Sequence, residues 1–183
     1  MKKLFLLLSI ALVFVLAACG SSSDENSAED ANASEDTTEE PSENNKELKS
    51  ALLKNHMEVA NTVRNNYKKI NDYVAALNNE EIKAEELEAL KADAVEAAEK
   101  AVSNVDAYTF VKEEGLTDDA KATYEEAIGD VKGAFEAYQS ALESDSTDFT
   151  TAEEKLAGYT EKVGALFEEV GLSSSADLAK ELQ

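Results

Sequence analysis

The fold class follows from residues 46–77, which read KELKSALLKNHMEVANTVRNNYKKINDYVAAL. Apolar side chains recur along this segment at steps of three or four residues, with His56 filling the one wider gap; they are Leu48, Leu52, Val59, Val63, Tyr67, Ile70, Val74 and Leu77. Such steps place side chains on one face of an α-helix, whereas a half-buried strand alternates every second residue. The segment therefore predicts an amphipathic helix that buries one face.

The rest of the chain carries three more long segments and one short segment with the same periodicity. In order, they run from Ala84 to Lys112, from Asp118 to about Leu142, from Thr150 to about Val170, and through Leu178 and Leu182. No segment between them alternates in the way a strand does. Because short connections bring successive helices back antiparallel, we predict an all-α protein: an antiparallel bundle of about four main helices and a short C-terminal helix.

Capping residues place the starts of these helices. Two starts are open for the second helix: Lys83, which has a hydrophobic staple around it, and Asn78. Thr117 is the expected N-cap of the third helix, followed by two carboxylates that favour a helix N-terminus. Thr150 and Glu153 have the spacing of a capping box for the fourth helix.

The helical region contains a weak internal repeat. The pattern Tyr-x-x-Ala-Leu occurs at Tyr73 and again at Tyr138, and the two helix stops read Gly-Leu-Thr from Gly115 and Gly-Leu-Ser from Gly171. The repeat predicts two tandem αα-hairpins. Chance similarity between helices rich in Ala and Glu is the alternative.

The first 19 residues have the pattern of an export segment. Lys2 and Lys3 precede an apolar run over residues 4–18, which is shorter than the roughly 20 residues that a membrane-spanning helix needs. The run ends in Leu16-Ala17-Ala18-Cys19, which resembles the lipobox of bacterial lipoproteins. This resemblance implies that residues 1–18 are a signal peptide, cut just before Cys19, and that the thiol of Cys19 carries a diacylglyceryl group. An ordinary secretory signal that happens to contain a cysteine is the alternative.

Residues 19–45 form the expected tether between this anchor and the folded part. From Gly20 to Asn45 the chain has nine acidic residues, no basic residue and no aromatic or branched aliphatic side chain. Such a segment cannot bury enough apolar surface to offset its loss of conformational entropy, so we predict a disordered acidic spacer. The folded domain then spans residues 46–183.

The composition argues against several classes of function. Only 17 Lys and Arg stand against 39 Asp and Glu, and the formal charge of −22 predicts no nucleic-acid partner. One Cys and one His exclude a zinc site or a disulfide framework, and we predict no metal and no cofactor. Phosphate-binding loops, a Gly-x-Ser-x-Gly motif and a His-Glu-x-x-His motif are missing, so we predict that the protein is not an enzyme.

Two sets of residues stand out as candidate sites. Gly129, Gly133 and Ala137 form a strip of small residues on the third helix, which predicts either close packing inside the bundle or contact with a partner. The second set lies on or beside the apolar stripes and predicts either core positions or a ligand-binding groove; it comprises His56, Tyr67, Tyr73, Tyr108, Tyr124, Tyr138 and Tyr159.

The sequence thus predicts a lipoprotein on the extracytoplasmic face of a bacterial cell membrane, with a Gram-positive host as the expectation. Its bundle would be a non-catalytic binding or adaptor module for an envelope or extracellular protein. The alternative is a small-ligand or metal-binding carrier that feeds a transporter, which would use His56 and the tyrosines.

Overall fold

A computed structural model describes residues 43–183 of the chain. The predicted signal peptide, Cys19 and the tether up to residue 42 lie outside the described residues. The described part contains no strand and five α-helices: α1 (Glu43–Leu77), α2 (Ala84–Asp106), α3 (Asp118–Glu143), α4 (Thr150–Glu169) and α5 (Leu178–Glu181). The all-α prediction is confirmed. None of these helices is both long enough and apolar enough to cross a bilayer.

Neighbouring long helices pack antiparallel, α1 against α2, α2 against α3 and α3 against α4, as two side-chain bonds at each of the first two interfaces show. In the last pair, the rings of Tyr124 and Tyr159 meet near one end, while those of Tyr138 and Phe149 meet near the other. Residue numbers therefore increase along α3 in the direction in which they decrease along α4, so the two helices are antiparallel. The helices form two successive αα-hairpins closed into a bundle, as the sequence predicts.

The four long helices surround one core. The largest fully buried side chains are Tyr124, Tyr159, Phe135, Phe167, Leu52 and Ile70. The buried residues of α2 are all small, namely Ala94, Ala97, Ala98, Ala101 and Val105, while Leu87 and Leu90 pack against the core only partly buried. Burying a large apolar side chain stabilises a fold by about 1.5 to 3 kcal/mol, so α1, α3 and α4 provide most of the hydrophobic stabilisation.

The C-terminal segment covers part of the surface where α1 and α4 meet. Leu178 and Leu182 are buried there, with exposed fractions of 0% and 2%. Arg64 of α1 donates from Nε to the carbonyl oxygen of Glu181 at 3.0 Å, and Thr160 of α4 accepts from the backbone N–H of Leu178 at 3.3 Å. The short helix α5 is therefore held by both long helices.

Two predicted helix ends differ from the structure. α1 begins at Glu43, three residues before the predicted start at Lys46, so residues 43–45 are helical and not part of the tether. α2 ends at Asp106 and not at Lys112. Tyr108 continues the helical spacing in the sequence, but it lies in the loop 107–117, where its side chain packs against α1.

The predicted helix starts are right in two of three places. Lys83 is the N-cap of α2, without a side-chain capping bond. Thr117 caps α3, since its hydroxyl accepts from the N–H of Ala120 at 3.1 Å. The capping box at Thr150 is wrong, because the N-cap of α4 is Phe149 and the carboxylate of Asp148 accepts from the Thr150 N–H at 3.0 Å.

Both glycines predicted as helix stops adopt left-handed backbone conformations. Gly171, with φ of 67°, follows α4, and the next N–H bonds back to the carbonyl oxygen of Phe167 at 2.8 Å. This is a Schellman arrangement, which favours glycine. Gly115, with φ of 90°, lies in the loop before α3, where an added Cβ would be 3.1 Å from the backbone of Glu47.

Candidate functional site

A buried asparagine holds the α2–α3 loop against α1. The side chain of Asn55 is fully buried and uses both ends of its amide. Its Nδ2 donates to the carbonyl oxygens of Ala51 at 2.9 Å and Lys112 at 2.8 Å. Its Oδ1 accepts from the N–H of Val111 at 2.9 Å and from the hydroxyl of Tyr108 at 3.1 Å. The loop conformation therefore depends on one side chain of α1.

The next residue, His56, begins a line of buried polar groups that joins three helices. His56 is 3% exposed, and its Nδ1 lies 2.9 Å from the hydroxyl of Tyr159 on α4. That hydroxyl lies 3.3 Å from the hydroxyl of Tyr124 on α3, which in turn donates to the carbonyl oxygen of Leu52 at 3.4 Å.

The hydrogen bond between Nδ1 of His56 and Tyr159 is compatible with either neutral tautomer of the ring, and either hydroxyl can donate in the bond between Tyr124 and Tyr159. The other ring nitrogen, Nε2, is buried and has no hydrogen-bond partner within residues 43–183.

The surroundings of the imidazole favour its neutral form. Its ring stacks on Tyr159, with centroids 5.8 Å apart, and meets the edge of Phe167 at 5.6 Å. Burial lowers the pKa of His56 below its usual value, while the negative charge of Glu181 opposes this shift. At pH 7 the ring is therefore uncharged.

The tyrosines predicted as groove candidates are core residues for the most part. Five of them are buried, with exposed fractions of 8% or less, and Tyr108 is half-buried: the five are Tyr67, Tyr73, Tyr124, Tyr138 and Tyr159. Burial raises the pKa of Tyr108, Tyr124, Tyr138 and Tyr159. The structure does not bring the six rings together in one open groove, because most of them pack against other aromatic rings in the interior.

The strip of small residues on α3 does not pack against a neighbouring backbone. Apart from the adjoining backbone of its own helix, a Cβ added to Gly129 would have no described atom within 4 Å, and the nearest atoms to one added to Gly133 belong to the side chain of Lys155 at 3.5 Å. Ala137 is partly buried. The expectation of close packing inside the bundle is therefore corrected at these glycines, and contact of the strip with a partner stays a prediction.

Close packing occurs instead at Gly158 of α4, which the sequence reasoning missed. A Cβ there would lie 3.0 Å from Oδ2 of Asp130 on α3. The carboxylate of Asp130 is 16% exposed and contacts two lysines of α4, Lys155 at 3.6 Å and Lys162 more closely. The sequence signal for this close contact is a glycine inside an amphipathic helix, because glycine destabilises a helix by about 1 kcal/mol relative to alanine.

An open cleft lies where α1, α4 and α5 meet. Its volume is about 550 Å³, and its lining combines Tyr67, Leu156, Ala157, Thr160 and Ala179 with the acidic residues Glu153, Glu161 and Asp177. Asp177 is engaged, because it pairs with Lys180 at 3.3 Å. Glu153 and Glu161 form no ion pair with any of the described residues. The lining of the cleft thus combines apolar surface with negative charge.

A second cleft of about 450 Å³ lies at the start of α1, beside Gly115 and Glu169. Within residues 43–183, no three His, Cys, Asp or Glu side chains are grouped as they would be around a metal ion. Of the residues predicted for a ligand groove, only Tyr67 borders the cleft between α1, α4 and α5. Comparison of the chain with protein-family models, with curated proteins and with solved structures gave no match.

Proposed function

We propose that this chain is a membrane-anchored lipoprotein of the bacterial cell envelope whose helical bundle is a non-catalytic binding or adaptor module. The observation that carries the proposal is the sequence Leu16-Ala17-Ala18-Cys19 at the end of a short apolar run. Two acyl chains on one residue hold a protein firmly at a bilayer, whereas one chain gives only marginal attachment. The anchor thus keeps the bundle on the extracytoplasmic face.

The segment between anchor and bundle supports a role at a distance from the membrane. It joins Cys19 to Glu43, where α1 begins. A fully extended chain of this length reaches about 80 Å, and repulsion between its acidic side chains favours extended conformations. The same charge disfavours contact with anionic lipid headgroups. The bundle is therefore free to meet an envelope or extracellular protein.

A binding module accounts for the site geometry better than a small-ligand carrier does. The candidate ligands of a carrier, His56 and the tyrosines, are mostly committed to the core, where His56 bonds to Tyr159. The open cleft beside Tyr67 has acidic residues in its lining and offers a surface for a macromolecular partner. We therefore favour the adaptor.

The proposal is tested by replacing Cys19 with Ala in the full chain and fractionating the cells. We expect the variant to appear in the medium or to remain unprocessed, and Ser22→Ala in the spacer to stay with the membrane as the unaltered chain does. A processed Cys19→Ala chain that stays tightly bound to the membrane would refute the anchor.

A further inference from the structure

Two small side chains, Ala157 and Ala179, line the cleft between α1, α4 and α5. Ala157 of α4 is exposed and Ala179 of α5 is partly exposed, while Leu156 and the ring of Tyr67 are almost fully buried. The hydroxyl of Thr160 is already bonded to the carbonyl oxygen of Leu156 at 3.1 Å and to the N–H of Leu178. What remains open to an occupant is mainly apolar surface, large enough for one bulky side chain and its neighbours.

The carboxylates in the lining determine which charges an occupant can carry beside its bulky side chain. Glu153 and Glu161 lie two turns apart on α4, about 12 Å along the helix axis. No lysine or arginine lines the cleft. Cationic groups on an occupant would gain attraction from both carboxylates, whereas anionic groups would be repelled.

The chain itself does not supply a suitable occupant. The spacer between residues 20 and 42 contains no basic residue, so it is repelled by the same carboxylates. A second copy carries the same formal charge of −22, and mutual repulsion opposes its approach. The charge complementarity therefore favours a partner with positive charge.

We infer that this cleft docks an extended segment of a partner protein with the pattern Lys/Arg-x-apolar-x-Lys/Arg. In an extended chain, residues i, i+2 and i+4 lie on one face, and the outer two are about 13 Å apart. This distance matches the separation of Glu153 and Glu161, and it places the apolar side chain over Ala157. The inference rests on the proposed binding function and specifies the site and the chemistry of the partner.

The test is a titration of the full chain, purified from membranes in a non-ionic detergent, with the capped peptide Gly-Lys-Ser-Leu-Ser-Lys-Gly. Calorimetry gives its Kd, and a photoreactive leucine analogue at the central position shows by mass spectrometry where the peptide binds. We expect crosslinks at Tyr67, Ala157 or Ala179. Peptides with both lysines replaced by Glu, or with the leucine replaced by Ala, should bind at least about tenfold more weakly.

Two variants, each with a matched control, test the carboxylates and the apolar surface of the cleft independently. Glu153→Gln with Glu161→Gln should raise the Kd about fivefold, as expected for two exposed ion pairs, whereas Glu80→Gln with Glu81→Gln in the α1–α2 loop should leave it unchanged. Ala157→Leu fills the cleft and should abolish crosslinking. Ala122→Leu makes the same change at an exposed position of α3 and should not.

Several results overturn the inference. They are an absence of binding by the lysine peptide, equal binding of the Glu peptide, crosslinks outside the cleft, and affinities that neither cleft variant alters. Self-association that Ala157→Leu abolishes would assign the cleft to a second copy instead. Repeating the titration with Cys19→Ala separates the two proposals, since a failed anchor leaves peptide binding intact and a failed cleft leaves membrane retention intact.

Discussion

His56 of α1 and Tyr159 of α4 are joined by a hydrogen bond of 2.9 Å that connects the first helix of the bundle to the last long one. The bond lies inside the core, and the two rings also stack. Because burial makes a polar contact costly to break, the two residues hold α1 and α4 in a fixed relation. The structure thus identifies His56 as a core residue that fixes helix packing.

Removing the hydroxyl of Tyr159 should destabilise the bundle. Tyr159→Phe leaves the buried Nδ1 of His56 and the hydroxyl of Tyr124 without this partner, so we expect a loss of about 1 to 3 kcal/mol in the free energy of unfolding. The matched control is Tyr73→Phe, because Tyr73 is buried but its hydroxyl has no hydrogen bond within the described residues. Urea unfolding followed by circular dichroism measures both. Equal effects of the two variants would contradict the role given to the bond.

Protonation of His56 should make stability depend on pH. An exposed histidine titrates near pH 6.5, as it does in the unfolded chain, whereas burial holds the pKa of His56 lower in the folded protein. Below pH 6.5 the unfolded state therefore binds more protons, so this contribution to stability is complete above that pH and is lost as pH falls.

The measurement compares the unaltered chain with His56→Phe, which keeps an aromatic ring without a titrating group. Carboxylates titrate in both proteins and cancel in the difference. We expect the stability advantage of the unaltered chain to shrink between pH 7 and pH 5. An advantage that is constant or grows over this range would contradict a lowered pKa of His56.

Replacing Asn55 should release the loop between α2 and α3. Asn55→Ala removes the bonds to Val111 and Lys112, so the amides of the loop should exchange with solvent at least about tenfold faster. The control is Asn65→Ala, since Asn65 is exposed on the same helix. Hydrogen exchange followed by mass spectrometry measures the protection of residues 107–117. Unchanged protection in Asn55→Ala would show that other contacts hold the loop.

The glycines of α3 and α4 should respond differently to alanine. Apart from the adjoining backbone of the same helix, Gly129→Ala and Gly164→Ala place a methyl group where no described atom lies within 4 Å, so each should stabilise the protein by about 0.5 to 1 kcal/mol through helix propensity. Gly158→Ala forces the methyl group against Asp130 and should gain less or destabilise. Thermal unfolding of the three variants tests this order, and a Gly158→Ala chain as stable as the other two would contradict it.

The sequence determines the helices and much of the core, because helical spacing reports directly which face is buried. His56 filled a gap in the apolar stripe of α1, which places it correctly in the core. Its partner Tyr159 is 103 residues away, and no local pattern pairs two residues across the interior. Sequence spacing also extended α2 beyond Asp106, because Tyr108 fits a helical stripe equally well from a packed loop.

The cleft was not predictable for a related reason. Ala157 and Ala179 lie on different helices, and only the packing of α5 beside α4 turns two small side chains into a cavity. Glu153 and Glu161 are two among many carboxylates in the sequence. Their position in the lining of that cavity distinguishes them, and it depends on tertiary structure.

Intact mass spectrometry of the chain purified from membranes tests the central claim most directly. A chain that begins at Cys19 and carries the added mass of a diacylglyceryl group is the predicted result. A mature chain with an unmodified thiol at Cys19, or one recovered from the medium without any lipid, would contradict the account.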